Sequence, residues 1–334
     1  MTLTRLLAAL ALALLSNAGN SEPPSAAQPA PRGQMVDLGG HRLHVICAGR
    51  GMPTVILESG FEEFSFDWIL VQSKVARFSR VCSYDRAGYA WSDPGPKPRS
   101  FIQINVELHD ALAKLEEKGP FVLVGHAFGG PIVRNFVNSY PKEVAGIVFL
   151  DAVSEDQRFE MWKKAVLVRD GAKGKTIPAP HEKMLDSDAP DVPKYFKEGA
   201  TPKLESPFDR LPAAEQGSHL WAASQRSLAA AEENERTWSP EYFSRWHADP
   251  NSSKLGAIPL IVLTRAHGGF KDLDISAEQQ ETERQAAQTS LAALSTRGEQ
   301  RIVDSSEDMQ VEVPDAVVEA VRSVVDAVRK AKQH

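Results

Sequence analysis

Five short, almost wholly apolar runs recur along the chain: PTVILES (53–59), RVCSYD (80–85), FVLVGH (121–126), GIVFLDA (146–152) and PLIVLTR (259–265). Runs of this length and composition suit strands buried on both faces. HRLHVICAG (41–49) alternates in part and adds another strand, and RIVDSS (301–306) adds a weaker last one. Helical spacing fills the intervals. Ile104, Leu108, Leu112 and Leu115 form an apolar stripe within 101–119, and Ile132, Val133, Phe136 and Val137 form a second that stops before Pro141. The last helix is expected to start at Pro314-Asp315. It carries Val317, Val321, Val324 and Val328 on one face and Lys330 and Lys332 in its final turns. These stripes read as core packing. Buried strands alternating with helices predict an α/β fold with a mostly parallel sheet, covered on both faces.

The stretch 154–255 breaks this rhythm. It offers no convincing strand, and Pro178, Pro180, Pro190, Pro193, Pro202, Pro207 and Pro212 interrupt it. It also holds Trp162, Trp221, Trp238 and Trp246, four of the six tryptophans. A helical and loop insertion between two sheet strands is expected, of the kind that forms a lid. The core then divides into 34–153 and 256–334. There is no internal repeat.

The N-terminus reads as an export signal over 1–18. Arg5 precedes the apolar run Leu6–Leu15, and Ser16-Asn17-Ala18 supplies small residues for cleavage before Gly19. Ten apolar residues are too few to span a bilayer, so no stable membrane anchor is expected. Residues 19–33, rich in Pro, Ser and Ala, read as a disordered leader. The expected location is therefore periplasmic or secreted. An oxidising compartment permits a disulfide between the two cysteines, Cys47 and Cys82, although two buried thiols are also common. With 334 residues, 42% apolar and 25% charged, the chain can bury a sizeable core. Its net charge of −6 and the lack of a Lys/Arg stripe argue against nucleic acid as a partner.

The sharpest local feature is FVLVGHAFGG (121–130), where a buried strand ends in a tight turn that opens directly into a helix. Gly125 stands before the turn tip, Gly129 just after it, and Gly130 allows close packing of helix on strand. A phosphate-binding loop fails on spacing, because this turn carries neither G-x-G-x-x-G nor G-K-[ST]. No cofactor is called for.

Several motifs now align in order: LESGFEEFSFDW (57–68), CSYDRAGYAWSDPGP (82–96), VGHAFGG (124–130), FLDAVSEDQ (149–157), PLIVLTRA (259–266) and VPDAVVEAVRSVV (313–325). Together they resemble the α/β-hydrolases, close to the bacterial esterase-like members. The resemblance covers roughly 36–156 and 256–330. It implies an eight-stranded, mostly parallel sheet of order 1-2-4-3-5-6-7-8 with strand 2 antiparallel. That order sets the Cys47 strand beside the Cys82 strand and favours the bridge.

The resemblance also implies roles, and most of them are vacant. The elbow G-x-S-x-G should raise a serine hydroxyl at the sheet edge. Here it reads Gly125-His126-Ala127-Phe128-Gly129. The histidine position falls on Asp308, or on Glu307 one residue earlier, and no histidine lies between His267 and His334. Asp151 matches the acid, with Asp272 and Asp274 as alternatives. Backbone N–H groups at Gly60, Phe61 and Phe128 would form the oxyanion hole. Glu62 and Glu63 follow it, and a carboxylate turned inward at about 5 Å would oppose an oxyanion by roughly 3 kcal/mol. Both are expected in solvent, where charged side chains mostly lie.

Losing either serine or histidine costs about a millionfold, and losing both costs little more. An engineered serine-to-alanine trap would explain Ala127 alone and not Asp308. The leading expectation is a pseudo-hydrolase that binds a small apolar molecule or a protein partner without turnover. The rival is an enzyme using His126, Asp151, His267 and Asp308 as a non-standard constellation. Their spacing matches no metal motif, so no metal is expected. His126 alone reads as a packing histidine and His267 as a loop residue. Ser59 or Ser83 as substitute nucleophile lacks a histidine to activate it.

Overall fold

The computed structural model describes residues 28–161, 164–180, 196–197, 202–269 and 274–331. The signal segment 1–18, Trp162 and Asp272 lie outside the described residues.

Eight strands form one sheet in the order β1-β2-β4-β3-β5-β6-β9-β10. They are β1 Gln34–Asp37, β2 Arg42–Ala48, β3 Val55–Glu58, β4 Val81–Tyr84, β5 Phe121–His126, β6 Val144–Leu150, β9 Leu260–Arg265 and β10 Gly298–Val303. β2 runs antiparallel to β1 and β4, and the other neighbours are parallel. This is the α/β-hydrolase fold. The expected last strand at 301–306 begins three residues earlier, at Gly298, and β1 was not marked by any apolar run. Its pattern is mostly exposed, with only Val36 buried.

Helices cover both faces. α2 (Phe101–Lys114) and α3 (Gly129–Ser139) lie on one side with α6 (Ala277–Ala292), where Leu108, Phe136 and Leu291 meet Leu123, Phe149 and Val262 of the sheet. α1 (Ile69–Val75) and α8 (Pro314–Ala331) lie on the other. The stripe Val317, Val321, Val324 and Val328 is buried there, each valine contributing about 1.5–3 kcal/mol relative to exposure. Cys47 and Cys82 face each other across β2 and β4, with Cα atoms 4.1 Å apart, and are disulfide-bonded. Closing this loop stabilises the chain by about 4 kcal/mol in the chain-entropy model.

Between β6 and β9 the chain leaves the sheet. A hairpin comes first, β7 (Arg158–Met161) with β8 (Lys164–Leu167), which corrects the expectation of no strand in this stretch. Short antiparallel strands bordered by loops give little periodic signal. Two helices follow, α4 (Ala213–Ala223) and α5 (Arg226–Ala248). They form a cap whose aromatic residues pack onto the core: Trp221 against Trp91, and Tyr242 and Trp246 against Phe101.

The leader also needs correction at its end. Residues 28–33 are tied to the body: Pro29 O accepts from Trp91 Nε1 (2.8 Å), and Arg32 pairs with Glu215 of α4. Arg32 O is also bonded to the His44 ring. These residues strap core and cap together.

Candidate functional site

β5 ends at His126, and the chain turns through Ala127 and Phe128 into α3. Ala127 has φ +45°, a left-handed conformation that costs a non-glycine residue energy and persists only where the surroundings impose it. The impositions are visible. Ala127 N–H donates to Leu150 O, and Ala127 O accepts from Gly130 and Val153 N–H. A side chain at Gly129 would come within 2.5 Å of Glu58 O, and one at Gly130 within 2.3 Å of Ala152 Cβ. The expected glycine roles are therefore met: the elbow is pressed against its neighbours on both sides. The tip it presents is a methyl group, with neither lone pair nor labile proton.

Glu63 does not lie in solvent. Glu62 does, but Glu63 is buried and reaches back into the elbow. Its Oε2 accepts the Gly60 N–H at 2.7 Å, and its Oε1 lies 2.6 Å from His126 Nδ1 and accepts from Gln310 Nε2 at 3.2 Å. The pull of His126 and these donors outweighs the mismatch of burying a charge. His126 completes the arrangement by donating from Nε2 to Glu307 O at 2.9 Å. Burial alone would lower the His126 imidazole. The Glu63 carboxylate overcomes that and raises it to about 10, so the ring is a cation held by an anion. Burial would raise the Glu63 carboxyl, but the His126 charge and hydrogen bond, with the Gly60 N–H, outweigh it and hold the carboxyl below its usual range.

Asp308 stands beside this pair, at the N-terminus of α7 (Met309–Glu312). Burial and then the nearby Glu63 charge push its carboxyl up to about 7. Donor atoms of Glu63, His126 and Asp308 all lie within 4.8 Å of one another. Two carboxylates and an imidazole are donor types that suit a divalent cation. With the ring protonated at both nitrogens, however, His126 offers no lone pair until a proton leaves.

The other sequence candidates go elsewhere. Asp151, also at positive φ, is buried and faces two arginines, Arg265 (3.2 Å) and Arg284 of α6 (3.3 Å). Exposed His267 pairs with Asp304. Asp274 caps the Ala165 N–H of β8. The side chain of Glu307 pairs with Arg265 at 3.0 Å. The constellation His126, Asp151, His267 and Asp308 is thus not assembled: only His126 and Asp308 come together. Ser59 Oγ accepts from Trp68, and Ser83 Oγ donates to Gln72, so both hydroxyls serve packing. Of the oxyanion positions, Gly60 has its N–H occupied by Glu63. Phe61 stacks on Phe128 with ring centroids 3.8 Å apart. Phe128 precedes the first turn of α3, where N–H groups lack helical acceptors.

A cavity of about 470 Å³ opens over Ala127, walled by Phe61, Phe128, Val153 and Phe208 and bordered by Glu63, His219 and Asp308. Cap and core both line it. The joint between them is a buried ionic network that the sequence did not reveal. Arg86 donates to Glu58 (3.0 Å), to Glu235 of α5 (3.2 Å), to the Tyr89 hydroxyl (2.7 Å) and to the carbonyls of Ser59 and Gly60. Glu232, one turn before Glu235, accepts the Glu62 N–H at 2.6 Å. Burial and the Glu62 charge raise Glu232 to about 8, and burial raises Glu58 to about 7. The signal for this joint was present in two places: an arginine inside YDRAGYA, and glutamates three residues apart on one helix.

The family model for the alpha/beta hydrolase fold matches residues 53–269. The chain belongs to this family. Among curated relatives, it is 31% identical over 134 residues to bifunctional epoxide hydrolase 2 of Sus scrofa, covering 39% of this chain and 24% of that one. It is 26% identical over 145 residues to the uncharacterized protein YbdG of Bacillus subtilis, covering 43% and 44%. The matches span less than half the length of these relatives. Among solved structures, a proposed epoxide hydrolase from Pseudomonas aeruginosa superposes with a TM-score of 0.62 at 17% identity, over 91% of this chain and 98% of that one. A thermophilic esterase from Thermogutta terrifontis gives 0.59 at 18%, over 88% and 99%. At these identities the likeness is one of fold.

Proposed function

We propose that this chain is an exported pseudo-hydrolase: it keeps the fold and the cap, and binds a small ligand with an apolar body in the cavity over Ala127 without turning it over. One observation carries the reading. The Glu63 carboxylate, paired with His126, takes the Gly60 N–H that an oxyanion would need, directly beside an elbow tip that has no nucleophile. A methyl group attacks neither an ester nor an epoxide. Even with a nucleophile supplied from outside, an oxyanion would have to displace a carboxylate already bonded to its donor. The position of the general base holds Asp308, and the matching acid, Asp151, is bound to arginines. Loss at four positions supports a natural departure over a single change.

The volume falls in the range of small-molecule sites, and Phe61, Phe128, Val153 and Phe208 supply an apolar part of the lining. Export rests on the 1–18 segment, and the Cys47–Cys82 bridge supports an oxidising compartment. Among the described residues no helix is long and apolar enough to cross a membrane.

The test is turnover by the wild-type chain. With p-nitrophenyl esters of two to eight carbons, and with an epoxide substrate, the rate should match that of a heat-treated control. A rate above that control, lost on denaturation, would end the pseudo-hydrolase reading.

A further inference from the structure

Apolar and charged side chains line the cavity together, and the charge is one-sided. Glu62, Glu63, Glu205, Glu307 and Asp308 line it, against Lys203 and His219. Three of these charges are already neutralised: Glu63 by His126, Glu307 by Arg265, and His219 by Asp67 at 3.0 Å. Among the described residues, Glu62, Glu205 and Lys203 enter no ion pair. The acids of the cavity outside these pairs are then Glu62, Glu205 and Asp308, against Lys203 in the lining and Arg236 beside Phe61. An anionic ligand would meet this surplus as repulsion, and a neutral one would leave it unanswered. A cation answers it. Phe61 adds no free face for a cation, because Phe128 stacks on its ring and the Arg236 guanidinium lies over it, 4.9 Å from the centroid; the preference rests on the acids.

We propose that the cavity takes a small cationic amphiphile, an amine whose ammonium group is drawn to Asp308, Glu62 and Glu205 while its apolar body lies against Phe61, Phe128 and Phe208. This rests on the reading of the cavity as a non-hydrolytic binding site and names the ligand class it selects. Asp308 is the determining residue. It is the least exposed of the three, beside the elbow, and it occupies the position where the family resemblance would place a cationic base. Replacing a base that becomes positive by a carboxylate reverses the charge that the cavity floor offers its ligand. An ammonium group beside Asp308 also favours the ionised carboxylate against burial and Glu63, the two influences that hold it back.

The experiment is isothermal titration calorimetry on the full chain at pH 8 with three probes of equal length: n-octylammonium, 1-octanol and octanoate. The ammonium should bind at least tenfold more tightly than the alcohol, and octanoate more weakly than either. Raising the salt from 50 to 500 mM should weaken the ammonium and leave the alcohol unchanged. Asp308→Asn should lower ammonium affinity at least fivefold with alcohol affinity intact. Glu62→Gln, an exposed position, should lower it about twofold and guards against a folding defect at Asp308. Equal binding of ammonium and alcohol would overturn the cation preference while leaving the binding-site reading in place. Zn²⁺ binding that excludes the amine would overturn it too, because the acids would then serve a metal. Absence of binding by all three probes contradicts the proposal as well. Ester turnover by the wild type would instead defeat the non-hydrolytic reading, whatever the amine does.

Discussion

Two buried polar networks meet at the loop 58–63, and they are built in opposite ways. The joint between core and cap centres on one cation, Arg86, which holds Glu58, Glu235, Tyr89 and two backbone carbonyls in a closed set. The elbow network centres on one anion, Glu63, which gathers His126, the Gly60 N–H and Gln310, and one side of it opens on the cavity beside Asp308. The first fixes where the cap sits. The second fixes what the elbow can do, because it uses the donor that acyl chemistry would require. A closed network resists loss of any member. An open one can answer a lost member with water or a proton.

That contrast ranks the expected effects. Arg86→Ala should be the most damaging, since it leaves Glu58 and Glu235 buried without a cation. A loss of about 3–5 kcal/mol is expected in urea denaturation. Glu63→Gln should cost less, about 1–3 kcal/mol at pH 7, because His126 can shed its proton. Histidine NMR should then show the ring titrating well below its wild-type value of about 10, because burial opposes the charge and only the weaker pull of Asp308 and Glu307 remains. A comparable loss for the two variants would erase the distinction between closed and open networks.

The pH dependence separates them further. His126 is raised from 6.5 to about 10, so its pairing stabilises fully below pH 6.5 and is lost as pH rises towards 10. Glu232 is raised from 4.5 to about 8 by burial. A raised carboxyl also weakens the fold as pH rises, but between 4.5 and 8, because the folded state must give up a proton it holds more tightly. Glu232→Gln should therefore raise the melting temperature by a few degrees at pH 9 and leave it unchanged near pH 4. Glu63→Gln should flatten the loss between pH 6.5 and 10 and leave the lower window alone. An unchanged melting curve for Glu232→Gln at pH 9 would show that this glutamate is not buried as a charge.

What the sequence disclosed follows the same division. The apolar strands were legible because burial on both faces makes every residue apolar, and the valine face of α8 because burial recurs every third or fourth residue. The glycines of the elbow were legible because close approach admits no other residue. α6 was not legible: its buried face includes Arg284 and Gln288, which bind Asp151 and Ala152 O, so no apolar stripe forms. Glu63 was misread for a related reason. A carboxylate is expected in water unless a cation waits for it, and the cation here is a histidine 63 residues away, charged chiefly because Glu63 faces it. Neither member of such a pair announces itself alone. Asp308 was legible as a substitution within a family pattern, but not as a neighbour of Glu63.

The central claim is that the elbow lacks more than a hydroxyl. Ala127→Ser restores the nucleophile and nothing else, and a fluorophosphonate probe followed by intact-protein mass measurement reads whether the restored serine is activated. The account predicts no adduct on Ala127→Ser, because Glu63 holds both the Gly60 N–H and the His126 ring. One adduct per chain, located at position 127, would contradict it, since a working base and oxyanion hole would then have been present all along.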